Sequence, residues 1–201
     1  DYGDTSGCGR PVEEDDETCV PSTRSPLHEL NLAVLRERDW RWSCGRYFSF
    51  RAARDVEFFF LDTNPFVGEY LDRRWARDVA GGLAEQSVPA QKAFLEKALE
   101  ESDAALKIAV GHHPFYSNGF RGGTLELQSE LGGLFERHEV ALYLNGHDHD
   151  LQHVSPKSRR THFVTSGAGS KTGRGFGTAD TLFEHDAHGF VAVTVGKGGE
   201  R

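Results

Sequence analysis

Two histidine pairs carry most of the chemistry that this 201-residue chain can be read for. One lies in LNGHDHD (residues 144–150), where His147 and His149 are two apart, just past an apolar run. The other is His112–His113 in VGHHPFYSNG (residues 110–119), again just past an apolar run, and again with Gly before the first His. Loops at the ends of buried strands are where α/β proteins place their sites. Two such loops, each offering imidazole, could converge on one metal centre, and imidazole suits zinc, iron and manganese. Asp148 and Asp150 are placed to act as acceptors that orient the rings. An HxH alone is more often a surface turn, and spacing alone leaves both readings open. The other six histidines (His28, His138, His153, His162, His185 and His188) read as structural or exposed.

The elements that must position these loops follow from hydropathy. Residues 47–52 and 56–61 read as strands joined by a charged turn, the second apolar enough to be buried on both faces. Residues 91–101 read as a helix, with Phe94, Leu95, Ala98 and Leu99 on one face and Pro89 suited to the first turn. Strands follow at 106–110 and 140–144, separated by a helix at 124–138. A strand at 162–165, a glycine-rich loop at 167–177 and a last strand at 190–195 complete the series. Upstream, residues 27–39 read as a short amphipathic helix, and a short helix fits near 71–79. Strands alternating with helices predict an α/β architecture on a buried sheet. The glycine-rich loop does not fit the GxxxxGK[ST] phosphate cradle.

Composition narrows the partners. The net charge is −8, and the first 30 residues hold eight acids against two arginines, so most of that charge sits in an acidic loop segment at 1–26. An acidic chain is a poor candidate for nucleic acid or an anionic membrane. No apolar run approaches the roughly 20 residues of a membrane-spanning helix. Cys8 and Cys19 flank the acidic run, which leaves Cys44; three cysteines form no disulfide framework, and no CxxC pair points to zinc or redox chemistry. Trp40, Trp42 and Trp75 read as packing residues.

Taken in order, several segments resemble the calcineurin-like metallophosphoesterases, and among them the purple, or tartrate-resistant, acid phosphatases. GHHPFYS and NGHDHDLQH are similar to that family's last two motifs. RDWRW and GRYFSF (within residues 38–50), FFFLDT (58–63), the helix at 91–99 and FVTSGAGS (163–170) are similar to the segments around them. The resemblance covers residues 31–195. It implies the family's fold, two packed mixed β-sheets flanked by helices, with 27–201 as the C-terminal part of the domain. It implies a binuclear centre of Fe(III) with a divalent Fe, Zn or Mn, acting on a phosphate monoester. His112 and His147 would bind the divalent metal and His149 the ferric iron, while His113 falls at a variable position. Arg121 stands where mammalian-type members carry a His at the phosphate; it would bind phosphate oxygen by charge-assisted hydrogen bonds but not act as a general acid.

The family's GDxG, GDxxY and GNH segments do not occur in this chain. The expectation is therefore a C-terminal fragment beginning at the Asp of GNHD, with an incomplete site and little activity alone. The resemblance also suggests a secreted or lysosomal/vacuolar protein. A phosphodiesterase of the wider metallophosphoesterase group and a non-catalytic binding domain are the alternatives.

Overall fold

The computed structural model describes residues 46–73, 76 and 83–196. The helix expected at 27–39, the acidic segment at 1–26, the three cysteines and the three tryptophans lie outside the described residues. Seven strands form one mixed sheet: β1 (Phe48–Ala53), β2 (Val56–Phe60), β3 (Leu106–Val110), β4 (Val140–Asn145), β5 (Leu151–Val154), β6 (His162–Ser166) and β7 (Thr181–His185). Their order is β1-β2-β3-β4-β6-β5-β7. β2, β3, β4 and β6 run parallel, and β1, β5 and β7 join antiparallel. The second sheet of the expected pair is not among the described residues.

Two helices provide the crossovers, α1 (Val88–Glu101) between β2 and β3 and α2 (Leu125–Arg137) between β3 and β4. In α1 the Ser87 hydroxyl accepts from the Ala90 N–H, and a proline occupies the first turn; both features start a helix cheaply. Leu95 and Leu99, four apart, are buried. In α2 the same period places Leu127, Leu131, Leu134 and Phe135 inward. These side chains meet one row of the sheet, Phe59, Ala109, Tyr143 and Phe163, which are paired across β2, β3, β4 and β6. The row is fully buried or nearly so. Truncating one of its large members to alanine would cost about 3–5 kcal/mol.

The parallel core fixes where function can sit. β2, β3 and β4 all end at the same edge of the sheet, so the loops after Phe60, Val110 and Asn145 lie together. Backbone bonds lock them: Leu61 N–H donates to Val110 O (2.8 Å), Gly111 N–H to Leu144 O (3.0 Å) and Gly146 N–H to His112 O (3.0 Å).

Two sequence expectations change. β5 and β7 were not anticipated, because four and five residues beside a histidine-rich turn and a glycine-rich loop carry too little pattern to mark a strand. The expected last strand at 190–195 is irregular. Its alternating apolar residues have no strand partner among the described residues, and Phe190, Val193 and Val195 are exposed. Most of the helix expected near 71–79 lies outside the described residues; before it, Gly68–Leu71 forms one helical turn.

Candidate metal centre

His112 follows β3 and His147 follows β4, and their rings meet at the shared edge. His112 Nε2 lies 3.0 Å from His147 Nδ1, with the rings nearly perpendicular. His147 has φ of 67°. A non-glycine residue held in the left-handed region stores strain that the surrounding structure must offset, and such residues gather at sites. The glycine before His112 is required by crowding. A Cβ on Gly111 would fall 2.3 Å from the Tyr143 hydroxyl and 2.6 Å from Thr63 Cγ2.

His113 comes close to the same point but is held from all sides. Donor atoms of His112, His113 and His147 lie within 4.8 Å of one another. His113 is almost fully buried, and each of its polar atoms has a partner. Its backbone N–H donates to Thr63 Oγ1 (3.1 Å) and its carbonyl accepts from the Tyr143 hydroxyl (2.7 Å). Nδ1 meets Thr63 Oγ1 at 2.8 Å and Nε2 meets the Tyr70 hydroxyl at 3.2 Å. His112 and His147 are therefore the better-placed candidate pair for a metal ion.

That pair fits a metal. Imidazole nitrogens bind zinc-like ions at about 2.0–2.1 Å, and two donors 3.0 Å apart can both reach one ion at that distance. Ligation needs the neutral ring. Burial, with nearby positive groups including Arg121 adding to it, pushes His112 down to about 3. Burial and then Arg121 push His147 down to about 4. Both rings therefore keep their lone pairs through mildly acidic pH. His149 is in the same turn but outside the convergent set; it is lowered too, by burial first and Arg121 next, and its carbonyl accepts from Gly173 N–H at 2.6 Å. A second group, Glu96, Glu100 and His138, also gathers donor atoms, but Glu96 is engaged by Arg137 at 2.8 Å.

Asp148 and Asp150 do not orient the imidazoles. Asp148, buried, accepts from the Ser117 hydroxyl on Oδ2 and from the Arg121 N–H on Oδ1 (2.9 Å). Its carboxylate so fills the turn that a Cβ on Gly119 would fall 2.4 Å from it. The residue thus ties the β4 loop to the loop that carries Arg121. Asp150 accepts from Gln152 Nε2 (2.6 Å). Its other oxygen is buried without a partner among the described residues, and burial raises its pKa to about 6. Arg121 is exposed, and it lowers the pKa of all four site histidines. Its guanidinium charge is thus felt across the site.

Thr63 and Tyr70 were not assigned from sequence. Thr63 ends the quoted LDT segment, so its place was visible but not its role; Tyr70 lies in an irregular stretch with no periodic signal.

Known proteins give this edge its context. Purple acid phosphatase 17 of Arabidopsis thaliana is 40% identical over 174 residues, which span 80% of this chain and 50% of that protein. Over those residues the chain is similar to the purple acid phosphatases. Tartrate-resistant acid phosphatase type 5 of Sus scrofa is 32% identical over 123 residues, 60% of this chain and 35% of that protein. The chain spans about half the length of the first of these relatives. No protein-family model matches it. Among solved structures, a purple acid phosphatase from yellow lupin (Lupinus luteus) seeds superposes with a TM-score of 0.56 at 16% identity, covering 74% of this chain and 28% of that one. GAP50, the anchor in the inner membrane complex of Plasmodium, superposes with a TM-score of 0.52 at 25% identity, covering 72% and 44%. The lupin likeness shows the α/β phosphoesterase fold.

Proposed function

We propose that the protein carrying this chain is a metal-dependent hydrolase of phosphate monoesters, an acid phosphatase, and that this chain contributes His112, His147, His149 and Arg121 to its site. The observation that carries the reading is the convergence of His112 and His147, neutral and 3.0 Å apart, in a chain 40% identical to a plant purple acid phosphatase. In this reading His112 and His147 hold a divalent Fe, Zn or Mn, and His149 stands toward an Fe(III). When bound, such a metal pair supplies Lewis acidity and a water acidic enough to attack phosphorus.

The chain's own residues do the rest. Arg121 offers a planar fork to phosphate oxygens and offsets their charge. Asp148 fixes the backbone from which Arg121 projects. A guanidinium is a poor general acid, so the leaving group's proton comes from another group. The 201-residue chain alone offers three of the expected ligands, and we expect weak metal binding and little turnover from it. A secreted or lysosomal/vacuolar setting goes with the proposal.

The test compares 4-nitrophenyl phosphate with its bis-ester on the native polypeptide that contains this chain. Preferential, metal-dependent monoester hydrolysis supports the proposal, and faster diester hydrolysis assigns a phosphodiesterase. A second reading, a non-catalytic binding domain, is favoured by the likeness to an anchor protein. Metal-loaded protein that turns over neither ester would support it.

A further inference from the structure

We propose that Thr63 and His113 form a proton-ordered clamp that positions His112. Thr63 is buried, and its hydroxyl oxygen has three partners. It takes the His112 N–H at 3.2 Å and the His113 N–H at 3.1 Å, and meets His113 Nδ1 at 2.8 Å. A hydroxyl has two lone pairs and one hydrogen. Two backbone N–H groups can only donate, so they take both lone pairs. The one hydrogen must therefore go to His113 Nδ1, which accepts it. A neutral imidazole carries one N–H, so the proton of His113 sits on Nε2 and is donated to the Tyr70 oxygen at 3.2 Å. The count leaves no second arrangement.

The consequence is positional. His113 is a His that reads as a third ligand by proximity yet has no lone pair to offer: Nδ1 is occupied by Thr63 and Nε2 is protonated. Its work is to anchor the loop. With its backbone bonds to Thr63 and Tyr143, it holds the residue before it, so the His112 ring meets His147 without searching. The end of β2, the end of β3 and the Tyr70 turn are thereby fastened through one hydroxyl and one ring. The Thr63 methyl also contributes, since it is one of the two groups that exclude a Cβ at Gly111. Thr63 and His113 are positioning residues, and only the statement that His112 is a ligand rests on the function proposed above.

Two measurements on the full chain test this. The first is the ¹⁵N–¹H correlation spectrum of ¹⁵N-histidine-labelled protein. His113 is expected as the Nε2–H tautomer in the wild type and in Thr63→Ser, which keeps the hydroxyl. In Thr63→Val, which removes it, the tautomers should mix. An Nδ1–H signal in the wild type, or a Thr63→Val spectrum unchanged at His113, overturns the clamp. The wild-type spectrum decides without any variant having to fold. The second is zinc titration by calorimetry. Thr63→Val should weaken binding about tenfold or more, in the range of lost supporting hydrogen bonds at metal sites, and Thr63→Ser should restore it. Equal zinc affinity in wild type and Thr63→Val overturns the positioning role. A correct tautomer in protein that binds no zinc upholds the clamp and overturns His112 as a ligand.

Discussion

His112 Nε2 and His147 Nδ1 stand 3.0 Å apart although 35 residues separate them in the chain. Parallel pairing of β3 with β4 brings their loops to one edge, and the Gly146 N–H to His112 O bond closes the gap. A pair of donors so placed can chelate one ion, and chelation would be lost if either were removed. His147→Ala should lower zinc affinity by more than the roughly tenfold that loss of a supporting residue costs at the lower end of its range. Calorimetric titration of the two chains measures this, and His153→Gln, remote from the site, should bind as the wild type does.

Gly111 leaves no room for a side chain. Gly111→Ala should destabilise the chain by about 1–3 kcal/mol, the usual cost of overpacking a filled interior. The methyl would have to displace the Tyr143 hydroxyl or the Thr63 methyl. Because both groups brace the His113 loop, zinc binding should weaken in the same variant. Urea denaturation with and without zinc reads both effects.

Asp148 and Arg121 separate scaffold from binding. Asp148→Ala removes the acceptor of the Ser117 hydroxyl and the Arg121 N–H. Stability should fall by about 1.5–3 kcal/mol, as for hydrogen bonds to a charged group. Arg121→Ala should change stability by no more than about 0.5 kcal/mol, since its side chain is exposed. It should instead weaken inhibition by inorganic phosphate in the native polypeptide. Equal phosphate inhibition in wild type and Arg121→Ala would remove Arg121 from the site.

Acid stability has a contribution remote from the metal centre. His153 on β5 and His162 on β6 meet with Nε2 and Nδ1 2.8 Å apart. Burial, then the His162 charge, lowers the pKa of His153. A histidine with a depressed folded pKa binds fewer protons folded than unfolded, so its contribution is present above about pH 6.5 and is lost as pH falls through the folded value. His153→Gln should flatten the decline of unfolding free energy below about pH 6.5. An unchanged pH slope would contradict this.

How much of this was legible in the sequence depended on the length of each pattern. β3 was readable to the residue, since Leu106, Ile108, Ala109 and Val110 make a short, mainly apolar run that ends at Gly111. α1 was readable from the face shared by Phe94, Leu95, Ala98 and Leu99, and α2 was expected as a helix at 124–138. β5 was hidden because LQHV follows GHDHD without a break, and only its pairing with β6 and β7 makes it a strand. Within the site, His112 and His147 were readable because glycine precedes each at a strand end. The roles of Asp148 and Asp150 were misjudged, because adjacency to a histidine in sequence is not adjacency to its ring. The Thr63 hydroxyl could not be read at all: its partners lie 49 and 50 residues away.

Whether His147 serves phosphomonoester hydrolysis is decided most directly by turnover of the native polypeptide that contains this chain, loaded with iron and zinc, as wild type and as His147→Ala. A chelator should abolish turnover, and His147→Ala should lower it at least about a hundredfold, the loss of about 2.7 kcal/mol of transition-state stabilisation. Metal-loaded protein without turnover, or turnover indifferent to His147, would contradict this role.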